Sequence, residues 1–95
     1  MSVLGISMPP DLPVPADHLV GRIVHVPAGS CRYRDGALVL LVRRVRLDIS
    51  QWYGGQWVWL EGDELSGNGF RLAWRQALVH VSVCDLRALA GRRAT

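Results

Sequence analysis

The clearest pattern of hydrophobic and polar positions lies between Ala37 and Gly62, in the stretch ALVLLVRRVRLDISQWYGGQWVWLEG. Side chains on a strand point alternately to opposite faces, so alternation with period two predicts a half-buried strand. Residues 37–42 are apolar on both faces, and the residues beyond Arg43 alternate. Because Arg43 falls in phase with apolar positions and burying an unpaired guanidinium is costly, we expect a β-bulge or bend at Val42–Arg44 that turns Arg43 outward.

A polar and aromatic corner, Ile49–Gly55 (ISQWYGG), follows this strand. Its two glycines adopt positive φ at little cost, which suits a turn leading into an antiparallel partner. Residues 56–62 alternate again and predict a second strand. On one face of that strand lie Val58 and Leu60.

The other face of the second strand carries Trp57 and Trp59, and the pattern does not decide which face is buried. If the tryptophans point outward, they form an exposed aromatic patch with the nearby Trp52 and Tyr53, and such patches usually mark binding sites. If they point inward, they belong to the core.

Three further stretches complete the sheet. Residues 19–26 (LVGRIVHV) predict a first strand, and Asp63–Gly69 (DELSGNG) predicts a turn, because Gly and Asn favour reversals of the chain. Residues 70–83 alternate in two runs with no turn residue between them. We therefore expect either one long bent strand or two strands joined by a 3₁₀ turn around Arg75–Ala77.

These elements predict an all-β fold, a small five-stranded antiparallel barrel. We prefer an SH3-like to an OB-like barrel, since the first loop is long and no helix is expected between the middle strands. Residues 1–17 hold four of the five prolines and predict an extended Pro-rich N-terminal arm. The barrel domain then covers residues 18–84, and residues 85–95 predict a short helical turn and a basic tail.

Composition narrows the class of protein. A chain of 95 residues has room for one core, and its 49% hydrophobic content is that of a globular domain. There is no run of 18 apolar residues and no basic, apolar leader, so we expect a cytoplasmic protein with no membrane partner. The net charge of +3 is modest for a nucleic-acid-binding domain, although all eleven basic residues are arginines.

The nucleophilic and metal-ligating residues are scattered. Cys31 with His25 or His80 has no local catalytic signature, so we expect no enzymatic activity. Two histidines and two cysteines (His25, His80, Cys31, Cys84) could form a zinc site if the strands brought them together. Because zinc ligands normally occur in closely spaced pairs, we expect neither a metal nor another cofactor.

A binding surface is the function that the sequence favours. Aromatic residues and arginines dominate protein-interface hot spots, and the same residue types hold single-stranded nucleic acid. Because nucleic-acid affinity depends on neutralising phosphates, the low net charge favours a protein partner, or a second copy of the chain, over single-stranded DNA or RNA. The predicted surface comprises Trp52, Tyr53, Trp57, Trp59, Arg44, Arg46, Arg71 and Arg75.

Overall fold

The computed structural model describes residues 8–85, and this part of the chain is an all-β domain built on one antiparallel sheet. Its elements are the strands β1 (Ile23–Val26), β2 (Cys31–Arg32), β3 (Leu38–Val45), β4 (Trp57–Leu65) and β5 (Arg71–His80) and the one-turn helix α1 (Leu47–Ser50). In the sheet the strands lie in the order β1-β3-β4-β5-β2, and α1 connects β3 to β4. Two 3₁₀ helices, Ala16–His18 and Val81–Cys84, flank the sheet in sequence.

The sheet curls into a half-barrel. Strands β1 and β2 form its opposite edges, yet only residues 27–30 connect them along the chain. So short a connection requires the two edges to approach each other, and the strong twist of antiparallel strands makes this possible. At one end, the His80 amide donates to the Ser30 carbonyl oxygen at 2.8 Å, which holds the connection against β5.

The inner face of the half-barrel carries the core. Leu40, Val42, Val58, Leu60 and Val79 are fully buried there, and each contributes about 1.5–3 kcal/mol through burial. The second strand of the central stretch therefore directs its aliphatic residues inward. Its tryptophans lie on the outer face.

The expected β-bulge in β3 is present. The register between β3 and β4 shifts between Val42 and Arg44, which leaves Arg43 as the extra residue. Arg43 is exposed, and its Nε donates to Asp63 Oδ2 at 3.1 Å. Because the bulge resets the alternation, Val45 packs against the core in the same way as Val42 before it.

The turn predicted at residues 63–69 begins later than expected. Strand β4 continues to Leu65, and the chain reverses over Ser66–Phe70. Ser66 Oγ accepts hydrogen bonds from the amides of Asn68 and Phe70, at 3.3 and 3.1 Å, and so closes the reversal. Residues 63–65 stay in the strand because they pair with β5 and their carboxylates bind arginines, neither of which local turn propensity reveals.

Two other boundaries also differ from expectation. The first strand begins at Ile23 and not at residue 19, because Gly21 turns the chain with a φ of 87°. The residues after β3 form the one-turn α1 where no helix was expected, and the Ser50 hydroxyl donates to the Arg46 carbonyl at 2.6 Å. Arg71–His80 form one long strand, β5, which was one of the two alternatives, but the strand does not extend to residue 83, because Val81–Cys84 form a 3₁₀ helix.

The described part of the proline-rich segment lies along the barrel. The amides of Met8 and Asp11 donate to the carbonyls of Gln51 and Gly55, at 2.9 and 2.7 Å. Leu12 and Val14 pack against the core. The start of the segment (residues 1–7) and most of the expected C-terminal turn and tail (residues 86–95) lie outside the described residues.

Candidate interaction surface

The outer face of β4 brings together much of the predicted surface. In the pairing of β4 with β5, Trp57 lies directly opposite His80 and Trp59 directly opposite Leu78, on the side of the sheet away from the core. Arg44 lies on the same face, in register with Glu61 of β4. The side chains of Arg46 and Arg71 reach this face through carboxylates of β4.

The two β4 tryptophans are half-buried, and each contacts another ring edge-on. Tyr53 contacts Trp59 with a centroid distance of 6.3 Å, and His80 contacts Trp57 at 5.3 Å. The Arg32 guanidinium lies 5.4 Å from the Trp57 centroid, a cation–π distance. Trp52, in contrast, is more than half exposed. Most of the predicted aromatic surface is thus packed within the protein, and Trp52 is its open part.

Two nearly buried carboxylates lie at the centre of the outer face. Glu61 and Asp63 are each only 6% exposed, and such groups require partners because an unpaired buried charge is very costly. Glu61 Oε2 accepts from Arg46 Nη1 at 2.7 Å. Asp63 bridges two arginines, with Arg71 Nε at 2.6 Å and Arg43 Nε at 3.1 Å. Hydrogen bonds from these arginines lower the pKa of both carboxyl groups below the ordinary range.

Arg75 lies on the opposite face of the sheet from most of the other predicted residues, although it lines a depression beside β2 together with Trp59. It pairs in register with Gly62 and lies on the inner side of the alternation, where its Nε donates to Glu64 Oε1 at 2.7 Å. Arg34 binds the other oxygen of Glu64 at 3.1 Å. The hydrogen bond from Arg75 is the main reason that the pKa of Glu64 is lowered.

A second surface, which the sequence analysis missed, is the open edge of β5. Strand β2 pairs only with Leu78 and Val79, so within residues 8–85 the strand from Arg71 to Ala77 has β4 as its single neighbour. We call this segment, residues 71–77, the β5 edge. An edge strand presents unpaired backbone groups that can pair with another chain.

The backbone groups at the β5 edge can be identified from the alternation of the strand. The His80 amide points to the β2 side, where Ser30 accepts it. The register with β4 is continuous from Ala73 to His80, so the amides alternate between the two sides throughout this segment. The amides and carbonyls of Trp74 and Gln76 therefore point to the open side.

Large apolar side chains accompany these backbone groups. Phe70, Leu72 and Trp74 are 70%, 59% and 49% exposed, respectively. The sequence pattern FRLAWR had indicated an alternating strand, but the register between β4 and β5 shifts between Glu64 and Leu65, and this end of β5 lies beyond its pairing with β2. Only the pairing of β2 with the far end of β5 reveals this, and β2 is two residues long, too short to give a signal of its own.

The two cysteines are not activated by their surroundings. Cys31 and Cys84 are buried free thiols, and burial raises the pKa of both, to about 12 for Cys84, so neither is an activated nucleophile. In residues 8–85, no cluster of three or more His, Cys, Asp or Glu side chains could hold a metal ion. A depression of about 190 Å³ beside β2 is smaller than typical small-molecule sites, which measure roughly 300–1,000 Å³.

Comparisons of the chain with family models, with curated proteins and with solved structures found no match. Among the described residues, no helix has the length and apolar character needed to cross a membrane.

Proposed function

We propose that this protein is a non-enzymatic interaction module that binds a protein partner by accepting a strand at the β5 edge. The observation that carries the proposal is the coincidence of open backbone groups at Trp74 and Gln76 with the exposed side chains of Phe70, Leu72 and Trp74. In strand addition, main-chain hydrogen bonds supply affinity, and contacts with alternate side chains supply specificity.

The aromatic and arginine face predicted from the sequence lies next to this site. Trp74 pairs with Asp63, so it lies on the same outer face as Trp57 and Trp59. Arg71 lies beside it, bound to Asp63. A partner strand at the β5 edge would therefore place its outward side chains next to this face, with Trp74 as the apolar anchor.

Binding of single-stranded DNA or RNA is the alternative function. Its support is the stacked group in which the Arg32 guanidinium lies 5.6 Å from the Tyr33 ring and 5.4 Å from the Trp57 ring. Against it, five arginines already bind carboxylates of their own chain and have less charge to offer a phosphate backbone. We therefore rank a protein partner first.

The SH3-like reading of the barrel also remains a proposal. It is supported by the meander of β3, β4 and β5. It carries no functional conclusion, since one fold hosts many functions.

Site-specific photo-cross-linking in cells tests the proposed function. A photoreactive phenylalanine analogue at position Phe70 should give discrete adducts with protein, because Phe70 lies at the start of the β5 edge. Adding Trp74→Lys should abolish these adducts, since lysine on an edge strand opposes pairing. Leu47→Lys is the matched control, because Leu47 is similarly exposed on α1, and it should leave the adducts unchanged.

Two results would count against the proposal. Adducts that survive Trp74→Lys, or that Leu47→Lys abolishes equally, would show that Phe70 is not next to a strand-addition site. Adducts that nuclease removes, and that disappear steeply as salt rises, would support the nucleic-acid alternative, because phosphate contacts are displaced by salt.

A further inference from the structure

We propose that the depression at the end of β2 binds the carboxylate of an acidic side chain carried by the strand that pairs at the β5 edge. This inference rests on the proposed function and specifies the chemistry of its partner. The depression has a volume of about 190 Å³ and lies where β2 leaves β5. Because one water molecule occupies about 30 Å³ of liquid, the space suits a group of the size of a carboxylate.

The depression is open because the chain turns away from β5 at Tyr33. Within residues 8–85, Tyr33 is the only residue other than glycine with a positive φ, 64°. This backbone conformation is unfavourable for a bulky residue and is typically retained at binding sites. Arg32 lies opposite Leu78, so a longer β2 would place Arg34 opposite Gln76. The turn at Tyr33 instead leaves the backbone groups of Gln76 open.

The depression carries more positive charge than its own chain neutralises. Arg32, Arg34 and Arg75 line it, and none of the described residues that line it is acidic. Arg34 and Arg75 share the carboxylate of Glu64, at 3.1 and 2.7 Å. Arg32 lies against two aromatic rings and forms no ion pair within residues 8–85. Three positive charges thus meet one negative charge, which favours the binding of a further anion.

Arg34 also has an unused hydrogen-bond donor. Its Nη2 donates to Glu64 Oε2 at 3.1 Å and to the Ala37 carbonyl oxygen at 3.4 Å. Its Nε is buried and has no partner within residues 8–85. A buried donor without a partner is destabilising, and guanidinium groups bind carboxylates through parallel N–H bonds. A ligand carboxylate that accepts from Nε would give this donor the partner it lacks.

A strand at the β5 edge brings a side chain to the depression. The strand begins opposite Gln76, because Arg32 already occupies the position opposite Leu78. Its next residue lies opposite Arg75, with its side chain on the same face as Arg75. Opposite charges in directly opposed positions stabilise a pair of strands, so an acidic residue fits this position. An antiparallel partner, the orientation that β2 adopts, starts at this end of the edge, and the carboxylate therefore belongs to a side chain and not to a C-terminus.

NMR titration of the full chain tests the inference with N-acetylglutamic acid α-amide, which carries a single side-chain carboxylate. At constant ionic strength, the Arg34 Nε–Hε resonance should shift saturably, with half-saturation at about 10 mM or below. The neutral analogue N-acetylglutamine α-amide should cause no such shift. Arg34→Gln and Arg32→Gln should each weaken binding by about tenfold, as measured at the Gln76 amide. Arg22→Gln is the matched control, because it removes one positive charge before β1, and it should leave the affinity unchanged.

Three results of the titration would overturn the inference. The first is a shift that rises without saturation, or equally in folded Arg34→Gln and Arg22→Gln. The second is tighter binding of N-acetylvaline, whose carboxylate is terminal, because it would indicate a partner C-terminus on a parallel strand. The third is tighter binding of inorganic phosphate, which would favour the nucleic-acid alternative.

The cross-linking experiment separates this inference from the proposed function. Arg34→Gln should decrease the Phe70 adducts about tenfold, and Arg22→Gln should leave them unchanged. Trp74-dependent adducts that persist in Arg34→Gln would overturn the inference and leave the proposed function standing. If no Trp74-dependent adduct forms, both fail.

Discussion

At the scale of single residues, Gly62 is required by the close approach of β3 and β4. A Cβ atom at this position would overlap the carbonyl oxygen of Leu41. The obstructing atoms belong to backbone at the entrance to the β3 bulge, so they cannot rotate away as a side chain could. A glycine inside a strand, which normally weakens it, is here the residue that allows the two strands to pair.

Gly62→Ala should lower the free energy of unfolding by about 3 kcal/mol, the upper part of the usual range for overpacking. Gly67→Ala is the matched control, because a Cβ there meets no atom within 4 Å, and it should change stability little. Urea denaturation followed by tryptophan fluorescence measures both. Equal stability of the two variants would contradict the close approach.

The arginine-bound carboxylates make stability sensitive to acid. Glu61, Asp63 and Glu64 have lowered pKa values in the folded protein, chiefly because arginines donate hydrogen bonds to their ionised forms. Above the ordinary pKa, 4.5 for glutamate, these groups are ionised in both states and their stabilisation is fully present. As the pH falls below that value, the unfolded chain takes up protons first, so the stabilisation decreases and is lost once the folded groups protonate.

Urea denaturation at pH 7, 5 and 3 should therefore show a free energy of unfolding that is nearly constant down to pH 5 and then falls. Asp63→Asn removes one of the responsible carboxylates and should make the decrease between pH 5 and 3 smaller than in the wild type. Asp35→Asn, in the exposed loop between β2 and β3, is the matched control variant. An unaltered decrease in Asp63→Asn would contradict the role assigned to the bridge between Arg43 and Arg71.

At the scale of elements, local chemistry predicted some features well. Arg43 interrupts an otherwise apolar face, and because a charged residue cannot be buried unpaired, the β-bulge could be located before the structure was known. The reversal at residues 66–70 and the strand β2 could not be located in this way. Their positions depend on which strands pair, and pairing is set by contacts between residues distant in sequence.

The predicted binding surface shows the same limit. Alternation placed Trp57 and Trp59 together, but it could not decide their exposure, which depends on the rings of Tyr53 and His80 packed against them. The exposed β5 edge escaped detection because its apolar residues have the pattern of core residues. They are open because the neighbouring strand, β2, is short.

The β3 bulge yields a prediction for a deletion. Without Arg43, Val42 and Arg44 would occupy consecutive positions opposite consecutive residues of β4, and every core residue would keep its face. Deleting Arg43 should therefore leave a folded domain of reduced stability. Deleting Leu41 should unfold it, because a one-residue slip moves part of β3 to the wrong face. Circular dichroism and thermal denaturation distinguish the two, and an unfolded Arg43 deletion together with a folded Leu41 deletion would contradict the register.

At the scale of the whole molecule, the half-barrel encloses a filled core, and the β5 edge of its sheet has no neighbouring strand among residues 8–85. The inner face is filled by aliphatic residues, and Arg43, Arg46 and Arg71 pair with the two carboxylates of the outer face. Three of the large hydrophobic residues that remain exposed, Phe70, Leu72 and Trp74, lie at or next to the β5 edge, where Trp74 and Gln76 also present open backbone groups. The arrangement is that expected of a domain that completes its sheet with a strand from another chain.

Residue-resolved amide hydrogen exchange by NMR tests the open β5 edge most directly. The amides of Trp74 and Gln76 should exchange fast, while those of Ala73 and Arg75, which point towards β4, should be protected. Protection of Trp74 and Gln76 equal to that of Ala73 and Arg75 would contradict an open β5 edge.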